Sequence, residues 1–180
     1  MRASQFFDDV AERIQALISR ARIATGGLEK ERFNQRTPAG DWSPAEVFQH
    51  MMIANKSYLK TIRKALENAR GSAADTEVKF SFVGKMIIKG AGPDGNVPAM
   101  KAMVPDPGPY DLSLVDSWVE QHEEILSLLQ QSNGFDPSAT RISNPFLPIL
   151  KMNLADAFEI IAVHGERHVG QIEERSSVER

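Results

Sequence analysis

Apolar side chains recur at intervals of three and four along four stretches of the chain, the spacing of a helix that buries one face. The first stretch spans about residues 4–25, with Phe7, Val10, Ile14, Leu17, Ile18 and Ala21 on one side. Gly26-Gly27 closes it, because glycine tolerates the left-handed conformation just past a helix end. The second opens with a capping box: Ser43 as cap, Pro44 at the first helical position, Glu46 three residues on. Val47, Met51, Ala54, Tyr58, Ile62 and Ala65 carry its stripe to about residue 70. The third covers about 111–131, with Val115, Trp118, Val119, His122, Ile125, Leu126 and Leu129, and stops at Ser132-Asn133-Gly134. The fourth covers about 153–174. Asn153 suits its cap, and Asp156 in the first turn suits the helix dipole. Gly165 and Gly170 lie inside it, each about 1 kcal/mol less favourable than alanine, so packing must compensate.

Residues 71–110 break the pattern and hold five of the ten prolines and six of the twelve glycines. Their one apolar piece, 80–88, reads as a short helix or a strand-like segment, with a helical turn favoured, that serves as a lid, a dimer contact or a piece of core. A loop this long is usually functional or mobile. Four amphipathic helices of about 20 residues imply an all-α chain: one four-helix-bundle domain over 1–180 with a long Pro/Gly-rich insertion between helices two and three.

A length of 180 residues suits one domain, and 42% apolar with 25% charged residues is ordinary for a soluble protein. A net charge of −3, with Lys and Arg scattered, argues against nucleic acid. The absence of cysteine excludes disulfides, thiolate ligands and a cysteine nucleophile. No signal peptide is visible, and no apolar run reaches the ~18 residues of a membrane span. The expectation is a cytoplasmic protein without a membrane partner.

Histidine placement carries the chemistry. His164 and His168 lie four apart, so they stack on one helix face. On a helical wheel His168 falls at the centre of the fourth helix's inner face and His164 at its edge, while His50 flanks the stripe of the second helix. Three imidazoles meeting there would give a divalent ion three ligands and an open position, the pattern of catalytic rather than structural zinc sites. The competing reading makes each a hydrogen-bonded core histidine. His122 sits mid-stripe on the third helix and reads as a fourth ligand, an indirect partner of the site or a core residue, the last two being favoured over a ligand that would close the site. Glu159, Glu166 and Asp156 are expected to point away from the inner face, and H-E-x-x-H is absent, so no general base is assigned. Gln171 reads as touching substrate or water, or as a solvated edge residue. Trp42 reads as packing on the start of helix two.

Two segments resemble the DinB/YfiT-like superfamily of metal-binding four-helix bundles. Pro38-Ala-Gly-Asp-Trp-Ser-Pro-Ala-Glu-Val-Phe-Gln-His50 is similar to the opening of that family's second helix. Ala155-Asp-Ala-Phe-Glu-Ile-Ile-Ala-Val-His-Gly-Glu-Arg-His-Val-Gly-Gln-Ile172 is similar to its last helix. The resemblance implies that His50, His164 and His168 hold one divalent metal, zinc or nickel foremost and iron also compatible, and that the protein is a homodimer. It further implies an enzyme of hydrolase or thiol S-transferase type, acting on a small molecule with water or a low-molecular-weight thiol as nucleophile. No segment within 71–110 matches a thiol-binding motif. The alternative is a non-catalytic, stress-related binding or dimerisation module with a structural metal.

Overall fold

The structure, a computed structural model, describes residues 1–69 and 75–177. Helix dominates it. The elements are α1 (Ala3–Thr25), α2 (Lys30–Phe33), α3 (Pro44–Asn68), α4 (Phe82–Ala91), α5 (Leu114–Ser132) and α6 (Leu154–Ser177). A 3-10 turn covers Lys101–Met103, and β1 (Arg141–Ser143) pairs antiparallel with β2 (Lys151–Asn153).

The four long helices are those that the spacing predicts. At the start of α3, Ser43 Oγ accepts from the Glu46 amide at 3.2 Å, and Glu46 Oε2 accepts from the Ser43 amide at 2.9 Å. Arg36 then neutralises the Glu46 carboxylate at 2.8 Å. At the start of α6, Asn153 Oδ1 accepts from the Asp156 amide and Asp156 Oδ2 from the Asn153 amide, both at 2.9 Å. These bonds satisfy backbone donors that a helix start leaves unpaired. α3 ends at Asn68, and the expected end near residue 70 lies outside the described residues.

α6 packs on α1, α3 and α4, and α5 packs on α1 and α3. The core between them is apolar: Val10, Ile14 and Leu17 meet Ile62, Trp118, Ile125, Phe158 and Ile172, all fully buried. Each such side chain contributes about 1.5–3 kcal/mol by leaving water. Gly165 lets α1 and α6 close, since a Cβ there would stand 2.5 Å from Leu17 Cδ1. That contact offsets the poor helix propensity of glycine. Gly170 has open space around it and gains no such contact. Outside the core, Arg13 ties α1 to Glu159 at 3.0 Å and to Glu166 at 2.7 Å, and Arg20 ties it to Glu173.

The structure adds three things to the expected plan. Phe33 forms the short helix α2 because its ring is fully buried beside Phe48, at 6.0 Å between centroids. Two strands of three residues lie between the third and fourth of the expected helices, where the helical spacing marks no element. The 80–88 segment takes the short-helix form: from Phe82 it belongs to a ten-residue helix, α4, longer than a single turn and capped by Ser81, whose Oγ accepts from the Gly84 amide at 2.9 Å. α4 docks on α6 through Asp156. Asp156 does not join the triad, and it is fully buried under the start of α4. Its carboxylate accepts from the Ser81 amide at 3.0 Å and the Ser81 hydroxyl at 2.6 Å. Burial of that carboxylate is sustained by hydrogen bonds from two segments.

Candidate metal centre

α3 and α6 bring three imidazoles together. His50 is buried, and its Nδ1 donates to the Met103 carbonyl at 2.8 Å, so the 3-10 turn of the 96–104 segment fixes the ring. His168 is buried, and its Nδ1 donates to Gln171 Oε1 at 2.8 Å, one turn further along α6. His164 stands one turn before His168, with ring centroids 4.4 Å apart. Trp42 covers the other side of His50 at 4.9 Å.

The protons are placed by these bonds. With Nδ1 committed as a donor on His50 and His168, the Nε2 lone pair of each is left as the ligand atom. His50 Nε2 lies 3.1 Å from His164 Nε2, and one ring nitrogen from each of the three residues lies within 4.8 Å of the other two. Two nitrogens bound tetrahedrally to one zinc ion stand about 3.3 Å apart. The donor set thus fits a divalent ion: three neutral nitrogens, close together, two with their second nitrogen held by an acceptor.

Electrostatics favour the same protonation state. Burial lowers the pKa of His50, assisted by the positive charge of Arg167 and opposed by the Met103 bond. His164 is lowered well below the usual value by burial, then by His168, His50 and Arg167. Burial pushes His168 down to about 3, with His50 and the Arg167 and Arg175 charges assisting and the Gln171 bond opposing. Near neutral pH all three rings are therefore uncharged, the state in which imidazole binds a metal ion.

The triad opens into a cavity of about 760 Å³ between α3, α4, α6, the 96–104 segment and the β1–β2 loop. A volume of that order suits a drug-sized molecule. Its walls include Met86, Ile87, Val97, Phe146 and Ile160, and its polar groups include Asn55, Tyr58, Asn144, Arg167 and Arg175. Burial raises the Tyr58 hydroxyl well above its ordinary pKa, so it stays protonated. Arg175 Nη1 donates to the Trp42 carbonyl at 2.7 Å, joining the end of α6 to the residue before the α3 cap.

Each sequence-derived candidate now has a place. His50, His164 and His168 meet. His122 does not join them: it lies in the core on α5, its Nδ1 donating to the Trp118 carbonyl at 2.8 Å and its ring 3.7 Å from the Trp118 ring. Glu159 and Glu166 point away from the triad, as expected, and bind Arg13. Gln171 orients His168. Trp42 touches the site ring itself, not only the helix start. Arg167, Arg175 and Asn55 went unrecognised in the sequence. Asn55 left a trace, a polar side chain at the edge of the α3 stripe, four residues after Met51. Arg167 left none.

A family model for the DinB superfamily matches residues 13–172. The chain belongs to the DinB superfamily. The matched span contains all three histidines and agrees with the resemblance of segments 38–50 and 155–172. Comparison with curated proteins gave no match, and neither did comparison with solved structures. No helix among the described residues of this DinB-superfamily protein is long and apolar enough to cross a membrane.

Proposed function

We propose that this DinB-superfamily protein is a metalloenzyme in which His50, His164 and His168 hold one divalent ion, zinc or nickel in first place and iron as a further candidate. The observation that carries this reading is the paired hydrogen bonding of His50 to Met103 and of His168 to Gln171, which leaves the Nε2 of each ring as a ligand atom in a cluster with His164. When bound, the ion supplies Lewis acidity, lowering the pKa of a water or small thiol or polarising a carbonyl. The protein's own part is to position and enclose. Met103, Gln171 and Trp42 fix the rings, and the apolar walls of the cavity exclude bulk water from a small-molecule substrate. No acidic side chain joins the triad among the described residues, so the ion has no protein carboxylate in its own group of ligands. Hydrolysis and thiol S-transfer are the two reactions this arrangement suits.

The same reading takes 1–180 as one domain, with α1, α3, α5 and α6 as a four-helix bundle and α4 within the insertion, working in the cytoplasm as a homodimer. Phe82 and Met86, four apart on α4 and both exposed, offer an apolar face for the second copy. The core between α1 and α5 is apolar and contains none of the three histidines, which favours an enzyme over a module whose metal holds the helices together.

Elemental analysis tests the proposal. About one equivalent of a transition metal per chain is expected after supplementation. Less than roughly a third of an equivalent would defeat it. His50→Ala is expected to abolish uptake and activity while the apolar core keeps the helical fold. A large loss of melting temperature in that variant would instead support the structural-metal module.

A further inference from the structure

Arg167 stands within one turn of both α6 histidines, three residues after His164 and directly before His168. It lines the cavity, and its charge is felt by all three rings of the triad. Arg167 Nη1 donates a long hydrogen bond to the Gly90 carbonyl of α4 at 3.3 Å. Among the described residues it makes no ion pair within 4.0 Å. The arginines that join α1 to the outer face of α6 differ: Arg13 has Glu159 and Glu166, and Arg20 has Glu173. The other charged residues of the wall offset one another, because Arg175 is engaged by the Trp42 carbonyl and attracted by Asp41. Among the described residues, one guanidinium therefore faces a largely apolar cavity without a counter-charge.

A guanidinium presents five N–H donors in a planar fork, and a carboxylate accepts two of them in parallel. Partial withdrawal from water makes an unpaired charge costly and a paired one favourable. We propose that the cavity selects an organic carboxylate, its anionic end paired with Arg167 beside the histidine triad and its apolar body against α4 and α6. The assignment rests on the preceding reading for the reaction that follows, and on the cavity alone for binding. It names a substrate class: a small amphiphilic acid rather than a neutral or cationic molecule.

Titration calorimetry of the metal-free protein tests this with decanoate, decanol and decyltrimethylammonium as probes. Without the ion, a carboxylate has no metal to bind. Decanoate is expected to bind once per chain and at least about tenfold more tightly than decanol, with decyltrimethylammonium weaker than both. Arg167→Gln is expected to erase the preference for decanoate and leave decanol affinity unchanged. Arg167→Lys, which keeps the charge but loses the fork, is expected to retain part of it, and circular dichroism of each variant checks the fold. Equal binding of decanoate and decanol, or a preference that survives Arg167→Gln, overturns the proposal. The two readings fail separately. A protein that takes up no metal yet binds decanoate through Arg167 ends the enzyme reading alone; metal uptake without Arg167-dependent binding ends this one alone.

Discussion

Gln171 holds His168 in the orientation that the site needs: its Oε1 accepts the Nδ1 proton at 2.8 Å from one turn further along α6. Removing such an indirect partner typically lowers metal affinity by about 10–100-fold. Gln171→Leu is expected to weaken metal binding by that factor in a competition titration with a chelator. Gln171→Glu keeps an acceptor at the same place and is expected to restore most of the affinity. A Gln171→Leu variant that binds metal as tightly as the parent would show that the bond does not orient the ring.

Asp156 and Gly84 make the joint between α6 and α4. A Cβ on Gly84 would lie 2.0 Å from Asp156 Oδ1, closer than real contacts allow. Gly84→Ala is therefore expected to displace α4 from α6 and destabilise the protein by about 1–3 kcal/mol in urea unfolding. Asp156→Ala strips the acceptor from the Ser81 and Asn153 amides and the Ser81 hydroxyl, for a loss of about 2–4 kcal/mol. Both variants open the cavity wall on the α4 side. Unchanged stability in both would mean that α4 is not docked through this carboxylate.

Leu17 and Gly165 make a second close approach, between α1 and α6. Gly165→Ala alone is expected to destabilise by about 1–3 kcal/mol despite the better helix propensity of alanine. Adding Leu17→Ala opens space for the new methyl group. The double variant is expected to lose less than the sum of the two single losses, and strict additivity would contradict the contact.

His122 provides a pH dependence that is separate from the triad. Burial lowers its pKa from 6.5 to about 4 in the folded protein, while the Trp118 bond opposes this. As pH falls, the unfolded chain takes up the proton first. This group's share of stability is thus intact above 6.5, declines as pH drops from 6.5 toward 4, and changes no further below that. His122→Phe removes the titration and keeps a ring against Trp118. The pH slope of unfolding stability near pH 5 should fall by about 1.4 kcal/mol per pH unit relative to the parent. The triad histidines titrate in the same direction, so a remaining slope is expected. An unaltered slope in His122→Phe would contradict the burial of a neutral imidazole.

Much of this architecture is legible in the sequence because helix periodicity is a local signal. Val47, Met51, Tyr58 and Ile62 mark the buried face of α3 without reference to any other segment. The His164–His168 pair is local in the same sense, and His50 follows a capping box that fixes its place on α3. What stayed hidden depends on distant partners. Asp156 looks like an ordinary first-turn acid until Ser81, 75 residues away, arrives as its donor. Arg167 looks like one more surface cation until α4 supplies the opposite wall and no carboxylate accompanies it. The strands around Ser143 and Lys151 are too short for an alternating pattern to appear.

The most direct test of the three-histidine centre is an anomalous-scattering map from crystals of the metal-supplemented protein. The account predicts one peak about 2.0–2.2 Å from a ring nitrogen of each of His50, His164 and His168, with the Met103 and Gln171 bonds retained. A peak bound by fewer than three of these rings, or by His122, would contradict it.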